Sequence, residues 1–144
     1  ISGSDFSTIS IAAWVFLRSK SDFDFVFDAR TVNQVFILGL ARSDDQAWRW
    51  TVGANEINAS VNLNTWQHLI GAFDGSTSEF FVDGSSVGTV STSKGSTTFT
   101  GDWSIGDTND ASGFEIDAII DDVRVYDKGL SSTEASDLYN TGSI

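Results

Sequence analysis

Sixteen aspartates against four glutamates, a Trp-x-Trp pair, a single histidine and no cysteine define the chemistry open to this chain. Aspartate-rich loops suit calcium, which takes six to eight oxygens from carboxylates, amides, backbone carbonyls and water. Two segments offer such oxygens. In the first, alternation at period two puts Ile119, Asp121, Val123 and Val125 on one strand face. Asp121 is then a carboxylate among β-branched apolar neighbours, and a bare charge is too costly to bury. It is expected to meet a cation, joined by Asp5 or Asp28 if those segments run alongside, or else an arginine or backbone N–H groups. The second is Gly106-Asp107-Thr108-Asn109-Asp110-Ala111-Ser112-Gly113, where Asp107, Asn109 and Asp110 could fold around an ion. It lacks the spacing and terminal glutamate of an EF-hand loop, so an ordinary Asx-rich turn explains it too.

Trp48 and Trp50 share a face with Val52, while Arg49 and Thr51 take the other. Two indoles two residues apart could form a flat platform for sugar rings, with Asp44 and Asp45 beside them to bind hydroxyls. They could equally be core residues, since tryptophan is highly buried on average. Trp14 and Trp103 are assigned to the core. His68 alternates with Trp66 and Ile70 on an internal-looking strand. One histidine makes neither a catalytic triad nor a histidine-rich metal cluster, and a buried structural ring outweighs a catalytic one.

The elements that must position these residues are mostly strands, separated by Gly, Ser, Asn and Asp. Ile9–Leu17 is apolar on both faces and reads as a central strand covered on both sides. Asp22–Asp28 alternates, with Phe23, Phe25 and Phe27 inward and Asp22, Asp24 and Asp28 outward. Runs at 35–40, 48–52, 66–73, 79–82, 86–90 and 103–105 follow, and the strand containing Asp121 is expected to thread the interior. Asp74-Gly75 and Asp83-Gly84 suit tight reversals. The segment Ser131–Tyr139 is the one helical pattern: a serine cap, Glu134 to return the capping-box bond, and Gly142 after the end. Leu130, Ala135, Leu138 and Tyr139 would dock it. Eight or nine strands and one helix predict an all-β, two-sheet antiparallel jelly-roll sandwich.

With 144 residues, the chain is expected to be one domain over 1–144 with a sizeable core. Its net charge of −12 disfavours a nucleic-acid partner, which requires a basic face. No apolar run approaches a bilayer span, so membrane insertion is not expected. The sequence contains no methionine, which is read as processing or, preferably, excision from a longer protein. Zero cysteines exclude disulfides and thiol chemistry but leave secretion open.

Four segments in order resemble a known family: Phe6–Leu17 (FSTISIAAWVFL), Thr65–Gly88 (TWQHLIGAFDGSTSEFFVDGSSVG), Trp103–Asp107 (WSIGD) and the stretch from Phe114 to Tyr139. They are similar to the laminin-G-like, concanavalin A-like jelly rolls, most closely the bacterial type appended to larger secreted or surface proteins. The resemblance implies calcium near the rim and an extracellular or cell-surface setting. It also implies one of three roles: binding a polysaccharide or other glycan, an adhesive, protein-contacting role within an assembly, or merely spacing other domains. Glycoside hydrolases with this fold carry Glu-x-Asp-x-Glu or Glu-x-Asp-x-x-Glu, and Glu115-Ile116-Asp117 begins that pattern. The third acid would fall at Ile119 or Ile120. Retaining enzymes need two carboxyls about 5–5.5 Å apart, so no catalysis is expected. The reading reached is a non-catalytic, calcium-stabilised carbohydrate-binding module.

Overall fold

The structure is a computed structural model that describes residues 6–20, 24–31, 34–40, 47–94, 102–107 and 115–144. Among these, the chain forms β1 (Ile9–Leu17), β2 (Phe25–Thr31), β3 (Gln34–Leu40), β4 (Trp48–Val52), β5 (Asn55–Ala59), β6 (Trp66–Phe73), β7 (Thr77–Val82), β8 (Ser85–Ser91), β9 (Ser104–Ile105), β10 (Ala118–Tyr126) and α1 (Ser132–Thr141). Two antiparallel sheets result. The first has the order β10-β1-β6-β7-β8 and the second β5-β4-β3-β2-β9. The all-β, two-sheet sandwich with one short helix expected from the sequence is the architecture found.

The inner faces form one core. Ile9, Ile11, Val15 and Leu17 of β1, with Leu69, Phe73 and Phe80, meet Phe27, Phe36, Leu38, Trp48 and Trp50 of the opposite sheet. The two indoles bolt the layers together. Trp48 Nε1 donates to Gln67 Oε1 at 2.8 Å, and Trp50 Nε1 to the Ala72 carbonyl at 3.2 Å. Buried indole N–H groups thereby keep a partner. Residue 71 is glycine because Trp50 lies flat against it: a Cβ there would sit 2.1 Å from the ring.

Two bulges reset the alternation that the sequence implies. In β10, two residues, Asp122 and Val123, oppose the single Ala13 of β1 between the pairs Trp14↔Asp121 and Ala12↔Arg124. Asp122 takes the extra position, with φ 49°. Ile116, Ala118 and Ile120 therefore pack on the core before the bulge, and Val123 and Val125 after it. Asp121 does not share a face with Val123 and Val125; it is exposed on the outer side, and β10 is an edge strand, not one threading the interior. In β2 the register slips between Phe25 and Phe27. Val26 and Phe27 both face the core, whereas Phe25 is on the outer face beneath Arg49, whose guanidinium carbon lies 5.8 Å from the ring centre. The expected inward Phe25 is corrected accordingly; Asp24 and Asp28, expected outward into solvent, are buried. Phe23 and Asp22 lie outside the described residues.

A third layer covers half of the first sheet. Leu130, Ala135 and Leu138 pack on Ala12, Ile70, Ala72 and Phe81. Ser131 caps α1 and forms the full capping box with Glu134, and Gly142 ends it in the left-handed conformation. Trp14, expected in the main core, belongs to this outer layer, half-buried between His68 and Tyr139 with ring centres 4.9 and 5.6 Å away.

Candidate functional site

Helix α1 covers one end of the first sheet's outer face and leaves the other end bare. There, Phe16 of β1 pairs with Ile119 of β10 on one side and Trp66 of β6 on the other. The three side chains form a row across three strands, spanning about 10 Å at the usual strand spacing. Trp66 is 41% exposed and Ile119 43% exposed, and the rings of Phe16 and Trp66 are 5.7 Å apart. Alternation produces this row directly. Every second residue of β6 points outward, and Trp66 begins the strand before β7 comes alongside at Leu69. The indole thus has a neighbour on one flank and solvent on the other.

Polar groups frame the row. Arg18 Nη1 lies 3.4 Å from Asp117 Oδ1, and the Ser19 hydroxyl donates to Asp117 Oδ2 at 2.7 Å. Asp121 accepts the Asp122 N–H at 2.8 Å. Arg124 grips Asp122 with two bonds of 2.8 Å and reaches the Gly142 carbonyl, tying β10 to the end of α1. Next along β6, His68 is 2% exposed under Trp14 and Tyr139. Burial lowers its pKa to about 4, against the opposing pull of Asp83 and Asp122. The imidazole is neutral at pH 7, and its Nδ1 is buried with no hydrogen-bond partner. It is a structural ring at the foot of the helix layer, set back from the exposed row.

The sequence-derived candidates fare differently. Trp48 and Trp50 are both 0% exposed, so the platform they were expected to form does not exist; their faces are spent on the opposite sheet. Asp44 and Asp45 lie outside the described residues, as do Asp5, Asn109 and Asp110. Asp121 lies on the outer face of the first sheet and Asp28 on the outer face of the second, so these two cannot share an ion. Asp28 is buried opposite Ser104 of β9, three residues before Asp107. Among the described residues, no group of three or more His, Cys, Asp or Glu side chains is placed to hold a metal. Sequence reasoning missed the Trp66 row. The signal was present in the both-faces-apolar pattern of β1, whose outer residues Trp14 and Phe16 were assumed to be covered.

Two hollows of about 440 and 450 Å³ flank Ser60 at the same end of the sheets as Trp66, lined by Lys20, Asn58 and Val61 on one side and Asn62, Asp83 and Val87 on the other. Neither presents an aromatic face among the described residues. For a sugar ring, which needs a flat apolar surface as well as hydroxyl partners, the Trp66 row is the better site despite being shallower.

A sequence model of the concanavalin A-like lectin/glucanases superfamily matches residues 2–136. The chain belongs to that superfamily. Several solved structures share the fold. A native heptameric SAP-like pentraxin from Limulus polyphemus superposes with a TM-score of 0.77 at 17% identity, over 99% of this chain and 74% of its own. Domain 4 of an extracellular arabinanase from Geobacillus stearothermophilus, in complex with arabinotriose, gives 0.73 at 17% identity, over 94% of this chain and 68% of its own. Trypanosoma rangeli sialidase, in complex with 2,3-difluorosialic acid, gives 0.72 at 18% identity; this superfamily domain spans 94% of itself but 23% of that chain. No curated protein matches the sequence.

Proposed function

We propose that this domain is a non-catalytic, extracellular carbohydrate-binding module that holds a glycan on the outer face of its first sheet. One observation carries the reading: Trp66, the most open of the five tryptophans, lies beside Phe16 and Ile119 on a strand face left bare by the helix. The apolar face of a pyranose or furanose ring stacks on such an indole, and Ser19, Asp117 and Asp121 are near enough in the fold to serve its hydroxyls. The superfamily supports a sugar ligand, as does the arabinotriose bound by the arabinanase domain.

Three features support a binding rather than a hydrolytic role. Asp117 is engaged by Arg18 and Ser19. The third position of the glycosidase pattern is occupied by Ile119 or Ile120. Asp121 faces outward on an uncleft surface. Calcium belongs to the same proposal. Asp121 is exposed and accepts one backbone N–H, and among the described residues it is not grouped with two further carboxylates or histidines. Asp28 on β2 and Asp107, two residues beyond the adjacent β9, remain the candidates among the described residues.

A second reading, a protein-contacting or adhesive module, rests on Ile119, because an aliphatic side chain 43% exposed serves a protein surface better than a sugar. Depletion of the domain from solution by a panel of insoluble polysaccharides separates the two. Binding to at least one polysaccharide that falls at least tenfold in Trp66→Ala is the expected result. Binding to none, together with concentration-dependent self-association in sedimentation, would favour the second reading.

A further inference from the structure

We propose that the Trp66 face selects uncharged polysaccharide and rejects chains bearing uronate or sulfate groups. The inference rests on the glycan-binding reading and concerns the class of glycan. The row of Trp66, Phe16 and Ile119 is apolar, and around it four carboxylates (Asp83, Asp117, Asp121 and Asp122) outnumber two guanidiniums (Arg18 and Arg124). Asp121 follows Ile119 on the same outer face, Asp117 stands at the head of β10, and Asp122 occupies the bulge. On the opposite flank, Asp83 accepts the backbone N–H of His68 at 2.8 Å.

An anionic sugar would need a cation to offset these carboxylates. The guanidiniums on this face are committed: Arg18 to Asp117, and Arg124 to Asp122 through two bonds and to the end of α1 through a third. Lys20 lines the hollow beside Asn58 and Ser60 instead. The whole chain, at −12, adds a repulsive field of the same sign. A neutral ring loses nothing in this field. A uronate is repelled on approach, and the guanidiniums described on this face are already paired when it arrives. The shallow face also contacts a polymer from one side, so charge along the chain is felt over several repeats.

The test compares neutral arabinan and mixed-linkage β-glucan with polygalacturonate and alginate, for wild type and for the Asp83→Asn/Asp121→Asn variant. The asparagines keep the acceptors that bond His68 N–H and Asp122 N–H, and asparagine tolerates the positive φ of residue 83. Binding is measured at about 0.01 M and about 1 M salt, where the screening length falls from about 30 Å to about 3 Å. The neutral chains are expected to bind at least tenfold tighter at low salt, with the gap closing to about threefold at high salt. The double variant should raise the acidic-to-neutral affinity ratio by about twofold per charge removed at low salt. Equal binding of both classes at low salt, or a gap indifferent to salt and to the variant, would overturn the selection while leaving glycan binding intact. Binding to no chain, with Trp66→Ala indistinguishable from wild type, would remove the glycan-binding reading and the selection with it.

Discussion

Trp66 and His68 are two residues apart on the same face of β6, yet their surroundings give them opposite roles. Trp66 is at the open end of the sheet and keeps its indole face available, so Trp66→Ala should cost binding and little stability. His68 is under the helix layer, where the neutral ring is favoured by burial. The unfolded chain takes up the proton near the ordinary value of 6.5, whereas the folded ring takes it up only near 4. Across that window the unfolded state holds more protons, so stability falls as pH drops from about 6.5 and the loss is complete below about 4. The effect should be on the order of 2 kcal/mol. Chemical denaturation at pH 7 and pH 4.5 should show a slope that His68→Gln reduces; an unchanged slope in that variant would assign acid sensitivity to the carboxylates instead. At this scale the sequence favoured a structural His68 over a catalytic one. It left Trp48 and Trp50 undecided, because alternation states that two indoles share a face but not whether that face is inner or outer.

At the scale of elements, the period-two pattern was legible wherever a strand ran unbroken. β1, β4 and β6 begin and end where alternation and turn residues place them. It misled where a bulge intervened: one extra residue at Asp122 moves Asp121 to solvent, and one at Val26 sends Phe25 to the outer face. No propensity marks such insertions. β5, Asn-Glu-Ile-Asn-Ala, escaped notice for a different reason. As an edge strand it needs only Ile57 and Ala59 against the core, and Gly53 at φ 61° makes the turn that delivers it. The helix was legible because its caps are local. Ser131→Ala should destabilise by about 1 kcal/mol, measured by thermal unfolding. Across the sandwich, Gly71→Ala drives a methyl into Trp50 and should cost about 3 kcal/mol. Trp50→Leu in the same chain should recover part of that loss. Purely additive costs would contradict the contact.

For the molecule as a whole, the helix and the sandwich together decide where a ligand can sit. The main core and the helix layer bury most of the large apolar side chains, and the remaining bare sheet end holds Trp66, Phe16 and Ile119. The fold class was legible from the sequence because strand number, turn chemistry and a capped helix all agree. The binding face was not, because it depends on which part of β1's second apolar face the helix leaves uncovered. The calcium proposal is tested at this scale. An ion that binds only the folded state at a hundred times its Kd adds about 2.7 kcal/mol, a rise of about 5–10 °C in Tm for a domain of this size. Identical melting in calcium and in chelator would remove the metal.

The most direct measurement follows the five tryptophan indole N–H resonances during titration with a neutral polysaccharide fragment such as arabinotriose or a β-glucan oligomer. The account predicts that Trp66 shifts progressively and saturably, while Trp48 and Trp50, hydrogen-bonded inside the sandwich, do not. Movement of Trp48 or Trp50 with Trp66 unmoved would contradict it.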